Sequence, residues 1–296
     1  GGKTFINTLE LLNSKEKSEE YSGRYQKNKL CYLLKLAVKN VPYYKNIKLS
    51  GEPYKDLKKF PIVDKELIRN NFNLFINQNI KLKKSYYVTT GGTTSSPFGF
   101  YLDNSTYGAE WAFVVNAWKR VGFKLGDKIA SFRGIEFNHA NKTKLWQTNP
   151  IYNMLEFSPF HMSNNNIRLY IEKLNKYKPK FIHGYPSAIS ILAKYIDNHN
   201  VKLNNIEAIL AISENIYPGQ REYLENIFNT RLFSFYGMSE KVVMAPECEY
   251  DTRYHCHPFY GHTEVIDKNN NVNEGEFGEV VGTGFLNESM PFIRYR

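Results

Sequence analysis

A run of threonine, glycine and serine separates two aromatic-rich segments between Val88 and Pro97. Glycine lets a backbone approach an anion closely, and exposed N–H groups and hydroxyls can donate hydrogen bonds to phosphate oxygens. The run lacks the Gly-Lys-Ser/Thr ending of a Walker loop. Taken alone, it fits an ordinary flexible turn as well as a phosphate-binding loop. Its residues are Thr89, Thr90, Gly91, Gly92, Thr93, Thr94, Ser95 and Ser96.

Thiol and imidazole groups are concentrated in a second segment, where Cys248, His255, Cys256 and His257 fall within ten residues. Both groups are preferred ligands of zinc, which takes four of them in a closed structural site. On a strand, alternation would place His255 and His257 on one face. The pattern predicts a structural Zn²⁺ site held by Cys248, His255 and His257. The alternative is a partly buried thiol among surface histidines, because the Cys-x6-His-Cys-His spacing is not that of a standard finger.

The elements that would position these residues follow from the spacing of apolar side chains. Leucines from Leu30 onward recur at helical spacing, and Pro42 ends that helix. Pro61 and Asp64 mark a turn into a short helix, and Asn104 or Ser105 can cap another. The sequence predicts strands over 86–88, 98–102, 128–132, 181–182, 206–212, 232–235, 263–266 and 278–283. It predicts further helices over 167–177, 186–198 and 218–228.

Alternation of strands and helices predicts an α/β fold with largely parallel sheets. We expect a basic helical part over residues 1–84, an α/β core over 85–260 and a smaller β-rich region over 261–296. With 42% hydrophobic residues, the chain can build a sizeable core. No run approaches the roughly 18 apolar residues of a membrane helix, and the odd number of cysteines disfavours a disulfide framework. We therefore expect a soluble, cytoplasmic protein with no membrane span.

The net charge of +10 is unevenly distributed along the chain. Residues 1–84 hold 18 Lys and Arg against 8 Asp and Glu, whereas the remaining residues hold 21 of each kind. A basic lobe facing phosphate-bearing ligands, nucleic acid or a membrane surface is one interpretation. A lysine-rich solvated surface is the favoured one, because no arginine cluster appears.

Several short segments, taken in order, resemble the motifs of the phenylacetate-CoA ligase family of adenylate-forming enzymes, and above all its capsular polysaccharide biosynthesis (CapK-like) branch. The loop ending at Pro97 resembles the signature Thr-Ser-Gly-[Ser/Thr]-Thr-Gly-x-Pro. Each motif alone is modest, but their order makes the resemblance specific, and it runs from about Leu30 to the last residue. The later segments are Arg133-Gly134, His183-Gly184-Tyr185-Pro186-Ser187, Ser213-Glu214-Asn215, Tyr236-Gly237-Met238-Ser239-Glu240, Gly278-Glu279-Val280-Val281 and Met290-Pro291-Phe292-Ile293-Arg294-Tyr295-Arg296.

The resemblance implies the N-terminal domain of an adenylate-forming enzyme, with layered sheets, helices and a nucleotide-binding core over 85–260. Such enzymes join a carboxylate to ATP, release pyrophosphate and present the acyl-adenylate to a thiol, usually CoA. The implied cofactors are ATP, Mg²⁺ and CoA, and the implied substrate is a small-molecule carboxylic acid. The acceptor is a sugar, an amine or a thiol, with a role in surface polysaccharide biosynthesis. A homodimer is an open option.

The family motifs also imply roles for single residues. Thr94 and Glu240 would be catalytic, with Glu240 holding Mg²⁺. Arg294 would contact the nucleotide. The ATP phosphates would lie on Thr90, Gly91, Gly92, Thr93 and Thr94. The adenine would lie between Ser213, Glu214, Tyr236 and Gly237. The acyl pocket would be lined by Arg133, His183, Tyr185 and Phe235.

Each role has a structural alternative. Glu240 could be a carboxylate facing a helix dipole. Tyr185-Pro186-Ser187 could be only a strand-to-helix turn with proline at the first helical position. Arg294 and Arg296 could be surface ion-pair partners.

The chain departs from the family pattern at three places. Ser95 stands where the family loop has glycine, and Ser96 stands where lysine is common. After Arg296 the family continues with Thr-Gly-Asp and a small C-terminal domain carrying a catalytic lysine, and this domain is absent from the sequence given. We therefore expect the chain as given to bind nucleotide weakly and to adenylate poorly. The alternative is a catalytically weak relative that serves as a binding or scaffold module. Nucleic-acid binding is disfavoured, since no recognised motif appears.

Overall fold

The computed structural model describes residues 2–16, 18–80, 84–90, 97–134, 137, 144–203, 205–268 and 270–296. The chain divides into two compact units. Unit 1 comprises Gly1–Asn116, Gly237–Ala245 and His255–Arg296. Unit 2 comprises Ala117–Tyr236 and Pro246–Tyr254.

The described helices and strands alternate over much of the chain. The helices are α1 (Gly2–Lys15), α2 (Glu19–Asn40), α3 (Pro53–Leu57), α4 (Lys65–Asn70), α5 (Thr106–Trp118), α6 (Asn164–Tyr177), α7 (Pro186–His199) and α8 (Gln220–Phe228). The strands are β1 (Ser85–Thr89), β2 (Gly99–Asp103), β3 (Ile129–Phe132), β4 (Trp146–Asn149), β5 (Met154–Phe157), β6 (Phe181–Gly184), β7 (Ala208–Ala211), β8 (Arg231–Gly237), β9 (Met244–Pro246), β10 (Gly261–Asp267), β11 (Asn270–Asn271) and β12 (Glu279–Gly284).

Unit 1 begins with helices whose ends follow from the local sequence. The Ser18 side chain caps α2 by accepting a hydrogen bond from the Tyr21 N–H, and α2 ends immediately before Val41 and Pro42. Asp64 caps α4 in the same way, through the Leu67 N–H. Both helix predictions are confirmed. The leucines of α2 pack into an apolar core shared with β2 and the last residues of the chain.

Two small antiparallel sheets complete unit 1. Strands β1 and β2 form a hairpin in which Ser85 lies opposite Asp103 and Thr89 lies opposite Gly99. The second sheet has the order β11-β10-β12. Tyr295 adds a backbone bridge to Gly282 of β12 and another to Val63, so the end of the chain is held at the edge of this sheet.

A buried ion pair joins this chain end to β10. The Arg294 guanidinium donates to both carboxylate oxygens of Glu264, with Nε–Oε2 and Nη2–Oε1 distances of 3.0 and 3.2 Å. Arg294 Nη1 also donates to the Phe60 carbonyl at 3.2 Å. The Arg294 and Glu264 side chains are only 8% and 5% exposed. Because both partners are buried, neither can be solvated if the other is removed.

Unit 2 is built on a mainly parallel sheet in which its strands follow the order β4-β5-β3-β6-β7-β8. The β3–β5, β3–β6, β6–β7 and β7–β8 pairs are parallel, and only β4 runs antiparallel, along β5. Helices α6, α7 and α8 contribute apolar faces to its core. The predicted α/β class and the predicted helices and strands of this region are confirmed. The short strands β4 and β5 were not predicted.

Among the described residues, no helix combines the length and the apolar character that a membrane crossing requires.

Replacing Arg294 with alanine should lower the free energy of unfolding by about 3 kcal/mol or more, because the Glu264 carboxylate stays buried without its partner. Chemical denaturation measures the change. Arg296→Ala is the matched control, since its side chain is 46% exposed and its ion pairs with Asp64 and Glu279 are longer, at 3.6 and 3.4 Å. That control should change stability by at most about 1 kcal/mol. Equal losses in the two variants would contradict a structural role for the Arg294 pair.

Candidate functional site

The predicted phosphate loop begins and ends in the β1–β2 hairpin of unit 1. The Thr90 N–H donates to the Phe98 carbonyl at 2.9 Å, and the Phe98 N–H donates to Thr90 Oγ1 at 3.2 Å. These bonds close the hairpin at the base of the loop. The intervening positions, including the predicted Gly91, Gly92, Thr93 and Thr94 and the departures Ser95 and Ser96, lie outside the described residues.

A series of contacts leads from this hairpin to Glu240. The Phe98 ring lies nearly parallel to the Tyr295 ring, at 13° with a centroid distance of 6.4 Å. The Tyr295 hydroxyl donates to Glu240 Oε1 at 2.6 Å. Thr90 and Glu240, which the sequence placed in one site, are therefore connected within unit 1 through Phe98 and Tyr295.

The environment of Glu240 suits a carboxylate that must keep one orientation. Glu240 is 7% exposed, and residues 238–243 form a turn followed by a bend, with no helix. The helix-dipole alternative for Glu240 is therefore wrong. Burial, followed by the nearby Glu240 charge, raises the pKa of Tyr295 above its ordinary value, so this hydroxyl stays protonated and acts as a donor. A single oriented carboxylate fits Mg²⁺, which takes one or two carboxylates together with substrate phosphates.

Arg294 is committed to the buried pair with Glu264, so the surface ion-pair alternative is wrong for this residue. It is confirmed for Arg296, whose guanidinium pairs with Asp64 and Glu279 while almost half exposed. A nucleotide contact by Arg294 stays a prediction, and its Nε, Nη1 and Nη2 atoms already have protein acceptors.

The remaining predicted residues of unit 2 follow the carboxyl ends of parallel strands. In the sheet register, Phe132 pairs with Gly184, Gly184 with Ala211, and Ala211 with Ser234. Ligands of open α/β sheets bind outside the carboxyl ends of the strands. The sheet therefore places the predicted residues of four different strands along one edge. They are Arg133 after β3, Tyr185 after β6, Ser213 and Glu214 after β7, and Phe235 and Tyr236 within β8.

Gly134 and Gly184 lie at this edge, where neighbouring atoms leave little or no room for a Cβ. A Cβ on Gly184 would lie 2.4 Å from the Phe132 carbonyl oxygen, which no side chain tolerates. A Cβ on Gly134 would lie 3.1 Å from the Tyr185 hydroxyl oxygen. The exposed Arg133-Gly134 segment therefore contacts the Tyr185 ring, as expected if both line one pocket.

Glu214 stabilises the start of α7. Its carboxylate accepts from the Ser187 N–H at 2.9 Å and from Ser187 Oγ at 2.8 Å. Pro186 occupies the first turn of the helix, so the alternative that these residues form a strand-to-helix turn is confirmed as a structural role. Ser213 adopts a left-handed backbone, with φ of +66°. The Glu214 side chain is therefore already engaged within the protein, with one carboxylate oxygen on each Ser187 donor.

His183 is a neutral side chain in the sheet. Burial and the Arg133 charge lower the pKa of His183 to about 3. Its Nδ1 lies 2.8 Å from the Leu210 carbonyl oxygen, and because a carbonyl only accepts, Nδ1 carries the proton. Nε2 is then an acceptor. The ring packs edge-on against Trp118 at 4.9 Å.

Three predicted residues are consecutive in the chain where the first segment of unit 2 ends and unit 1 resumes. Phe235 is half-buried and Tyr236 is 38% exposed, while Gly237 is the first residue of the second segment of unit 1. Sequence reasoning missed Tyr295 as the partner of Glu240. No local signal pointed to this bond, because its partners lie 55 residues apart in the sequence.

The predicted zinc ligands receive no geometric support. Cys248 belongs to unit 2, whereas His255 and His257 belong to unit 1. The two histidines do not lie on a strand, and His255 is exposed while His257 is buried. His257 Nδ1 accepts from the Phe259 N–H at 3.2 Å. Within the described ranges, no group of three or more His, Cys, Asp and Glu side chains is arranged to hold a metal ion.

Comparison with known proteins gives relatives but no matching family model. Protein CapK of Staphylococcus aureus is 27% identical over 276 residues, which cover 87% of this chain and 58% of CapK. Phenylacetate-coenzyme A ligase of Pseudomonas putida is 25% identical over 296 residues, covering 92% of this chain and 64% of that enzyme. The chain thus spans about three fifths of the length of these curated relatives.

Solved structures of 2-hydroxyisobutyryl-CoA ligase share the fold. The postadenylation state with R3-HIB-AMP matches with a TM-score of 0.74 and 16% identity, over 94% of this chain and 62% of that one. The open conformation with 2-HIB-AMP and CoA matches with a TM-score of 0.71 and 17% identity, over 90% and 66%. The chain is therefore similar in sequence to CapK and to phenylacetate-coenzyme A ligase, and it shares the fold of 2-hydroxyisobutyryl-CoA ligase.

Proposed function

We propose that this protein activates a carboxylic acid with ATP, forming an acyl-adenylate and releasing pyrophosphate, and passes the acyl group to CoA or another acceptor. The observation that carries the proposal is the series of contacts from Thr90 through Phe98 and Tyr295 to Glu240. It connects the base of the predicted phosphate loop to an oriented, buried carboxylate. The likeness to phenylacetate-coenzyme A ligase and to a CoA ligase solved with an acyl-AMP supports this chemistry.

A carboxylate is a poor electrophile, so two anions must be brought together before reaction. One carboxylate oxygen attacks the α-phosphorus of ATP, the bond to pyrophosphate breaks, and pyrophosphate carries away the electron pair. Positioning and charge neutralisation supply most of the rate enhancement in such phosphoryl chemistry. Mg²⁺ bound at Glu240 would neutralise phosphate charge. The Tyr295 hydroxyl keeps the Glu240 carboxylate in one orientation.

We assign the adenine and the acid to the strand edge of unit 2. The backbone of Ser213-Glu214 is proposed to meet the adenine, because the Glu214 carboxylate already caps α7. For the acid, Arg133 is the proposed charge partner, since it is exposed and cationic. His183 cannot serve as a cation, because its pKa of about 3 leaves it neutral. Tyr185 and Phe235 would contribute the apolar wall.

The acceptor is a narrower proposal. The structural neighbour in its open conformation contains CoA, which favours a thiol. The likeness to CapK instead favours a sugar or amine acceptor in surface polysaccharide biosynthesis.

Replacing Glu240 with glutamine should reduce Mg²⁺-dependent exchange of pyrophosphate into ATP by at least about 100-fold, because the amide removes the charge that holds the metal. The assay uses a panel of aliphatic, aromatic and hydroxy acids. Tyr295→Phe should lower the rate of pyrophosphate exchange about tenfold, because the Glu240 carboxylate remains but loses one hydrogen bond.

Glu279→Gln, on the exposed start of β12, is the matched control and should exchange at the wild-type rate. Wild-type exchange in Glu240→Gln, or no acid-dependent exchange in the unaltered protein, would contradict the proposal.

The neutral state of His183 has a measurable consequence for stability. Its pKa falls from 6.5 to about 3 on folding, so between these values the unfolded chain binds a proton that the folded chain does not. The contribution of the neutral ring is complete above pH 6.5 and is lost as the pH falls, by about 1.4 kcal/mol per pH unit.

Between pH 7.5 and 5.0, the free energy of unfolding of the wild type should fall by about 2 kcal/mol more than that of His183→Gln. The exposed His199→Gln variant should behave as the wild type does. Parallel pH profiles for wild type and His183→Gln would show that His183 is not held neutral.

A further inference from the structure

Lys241 follows Glu240 directly and holds a backbone conformation that residues with a side chain rarely adopt. Its φ is +60°, in the left-handed region. This conformation costs free energy for any residue with a Cβ, and it persists only where neighbouring contacts fix it. Arg294, which precedes Tyr295, is left-handed as well, with φ of +50°. Each partner of the Tyr295–Glu240 hydrogen bond is thus adjacent in the chain to a basic residue with a left-handed backbone.

The chain that follows Lys241 is fixed by packing. Val242 and Val243 are each 1% exposed and belong to the apolar core of unit 1. The Lys241 carbonyl approaches β12 so closely that a Cβ on Gly284 would lie 2.7 Å from its oxygen. Because this segment is packed against the sheet, the backbone angles of Lys241 set the orientation of Glu240 relative to it.

The Lys241 side chain is held on α5. Its amine lies 2.6 Å from Glu110 Oε1, and the two side chains are 15% and 23% exposed. Partial burial reduces the screening of this pair by water and salt. The same amine lies 5.9 Å from the centre of the Tyr107 ring, and that ring lies 5.9 Å from the ring of Tyr86 in β1. One part of α5 therefore contacts both the residue after Glu240 and the strand that leads to the predicted phosphate loop.

We propose that Lys241 is a positioning residue, which fixes the orientation of the Glu240 carboxylate through its ion pair with Glu110. The pair holds the left-handed turn in place, and the turn presents Glu240 to the Tyr295 hydroxyl. The Lys241 charge is already balanced by Glu110, so the role acts through Glu240 and needs no contact with the nucleotide. Its consequence for catalysis rests on the adenylation proposed above, whereas its effect on the Tyr295–Glu240 bond does not.

Titration of pyrophosphate exchange with Mg²⁺ tests the consequence for catalysis. Lys241→Met and Glu110→Gln should each raise the Mg²⁺ concentration for half-maximal exchange about tenfold, because a misaligned Glu240 carboxylate holds the metal less well. The rate at saturating Mg²⁺ should change by less than about twofold, since the carboxylate itself remains. The double variant should resemble either single variant, because both substitutions break the same pair.

Lys59→Met is the matched control, because the Lys59 amine pairs with Asp56 at a similar distance of 2.7 Å elsewhere in unit 1. It should lower the thermal stability and leave the Mg²⁺ dependence at the wild-type value. An equal rise in the Mg²⁺ requirement of Lys59→Met would overturn the proposal, because loss of stability alone would then produce the effect. A large loss at saturating Mg²⁺ in Lys241→Met but not in Glu110→Gln would also overturn it, since the lysine would then act on the nucleotide directly.

Chemical denaturation without any ligand tests the positioning by itself. Tyr295→Phe should lower the denaturant concentration at the unfolding midpoint, and in the Lys241→Met background this shift should be about half as large or smaller, because Glu240 no longer meets the hydroxyl. In the Lys59→Met background the full shift should remain. Equal shifts in the wild type and in Lys241→Met would overturn the proposal. Since no nucleotide or metal is present, this result is independent of exchange, and absence of exchange in the wild type would contradict only the proposed function.

Discussion

Parallel pairing of β3, β6, β7 and β8 is the constraint on which the candidate site of unit 2 depends. Parallel strands end on the same side of a sheet, so residues far apart in sequence meet at one edge without any contact between their own side chains. The sheet can hold this register only because Gly184 allows the Phe132 carbonyl to approach within the space of a Cβ. A side chain there would separate β3 from β6. The positions of Arg133 and Tyr185 would then change together.

Unit 1 depends on two neighbouring residues near the end of the chain. Arg294 and Tyr295 are neighbours whose side chains bind different carboxylates, Glu264 in one case and Glu240 in the other. The first pair is structural, because two buried charges satisfy each other. The second gives the buried Glu240 carboxylate a hydrogen-bond donor that orients it. One short segment thus stabilises the unit and positions its candidate catalytic group, which explains why both residues lie in a single motif.

Local features were predictable from the sequence, and long-range partners were not. Pro42 ends a helix and Asp64 caps one for reasons that lie within a few residues, and short apolar runs predict the buried central strands. By contrast, β4 is mostly polar and β5 contains Glu156, so no apolar run marks either strand. The bond between Tyr295 and Glu240 spans 55 residues, and nothing local indicates it. The zinc prediction assumed a strand around His255 and His257, and the loop that actually forms removes the shared face.

Binding of a non-hydrolysable acyl-adenylate mimic tests the central claim most directly, because it needs no knowledge of the acceptor. Calorimetry should compare 5′-O-(N-phenylacetyl)sulfamoyl adenosine with AMP. An adenylate-forming site binds its intermediate more tightly than either half alone, so the mimic should bind at least about 100-fold more tightly than AMP. Equal affinity for the two ligands, or no binding of the mimic, would contradict an acyl-adenylate-forming function for this fold.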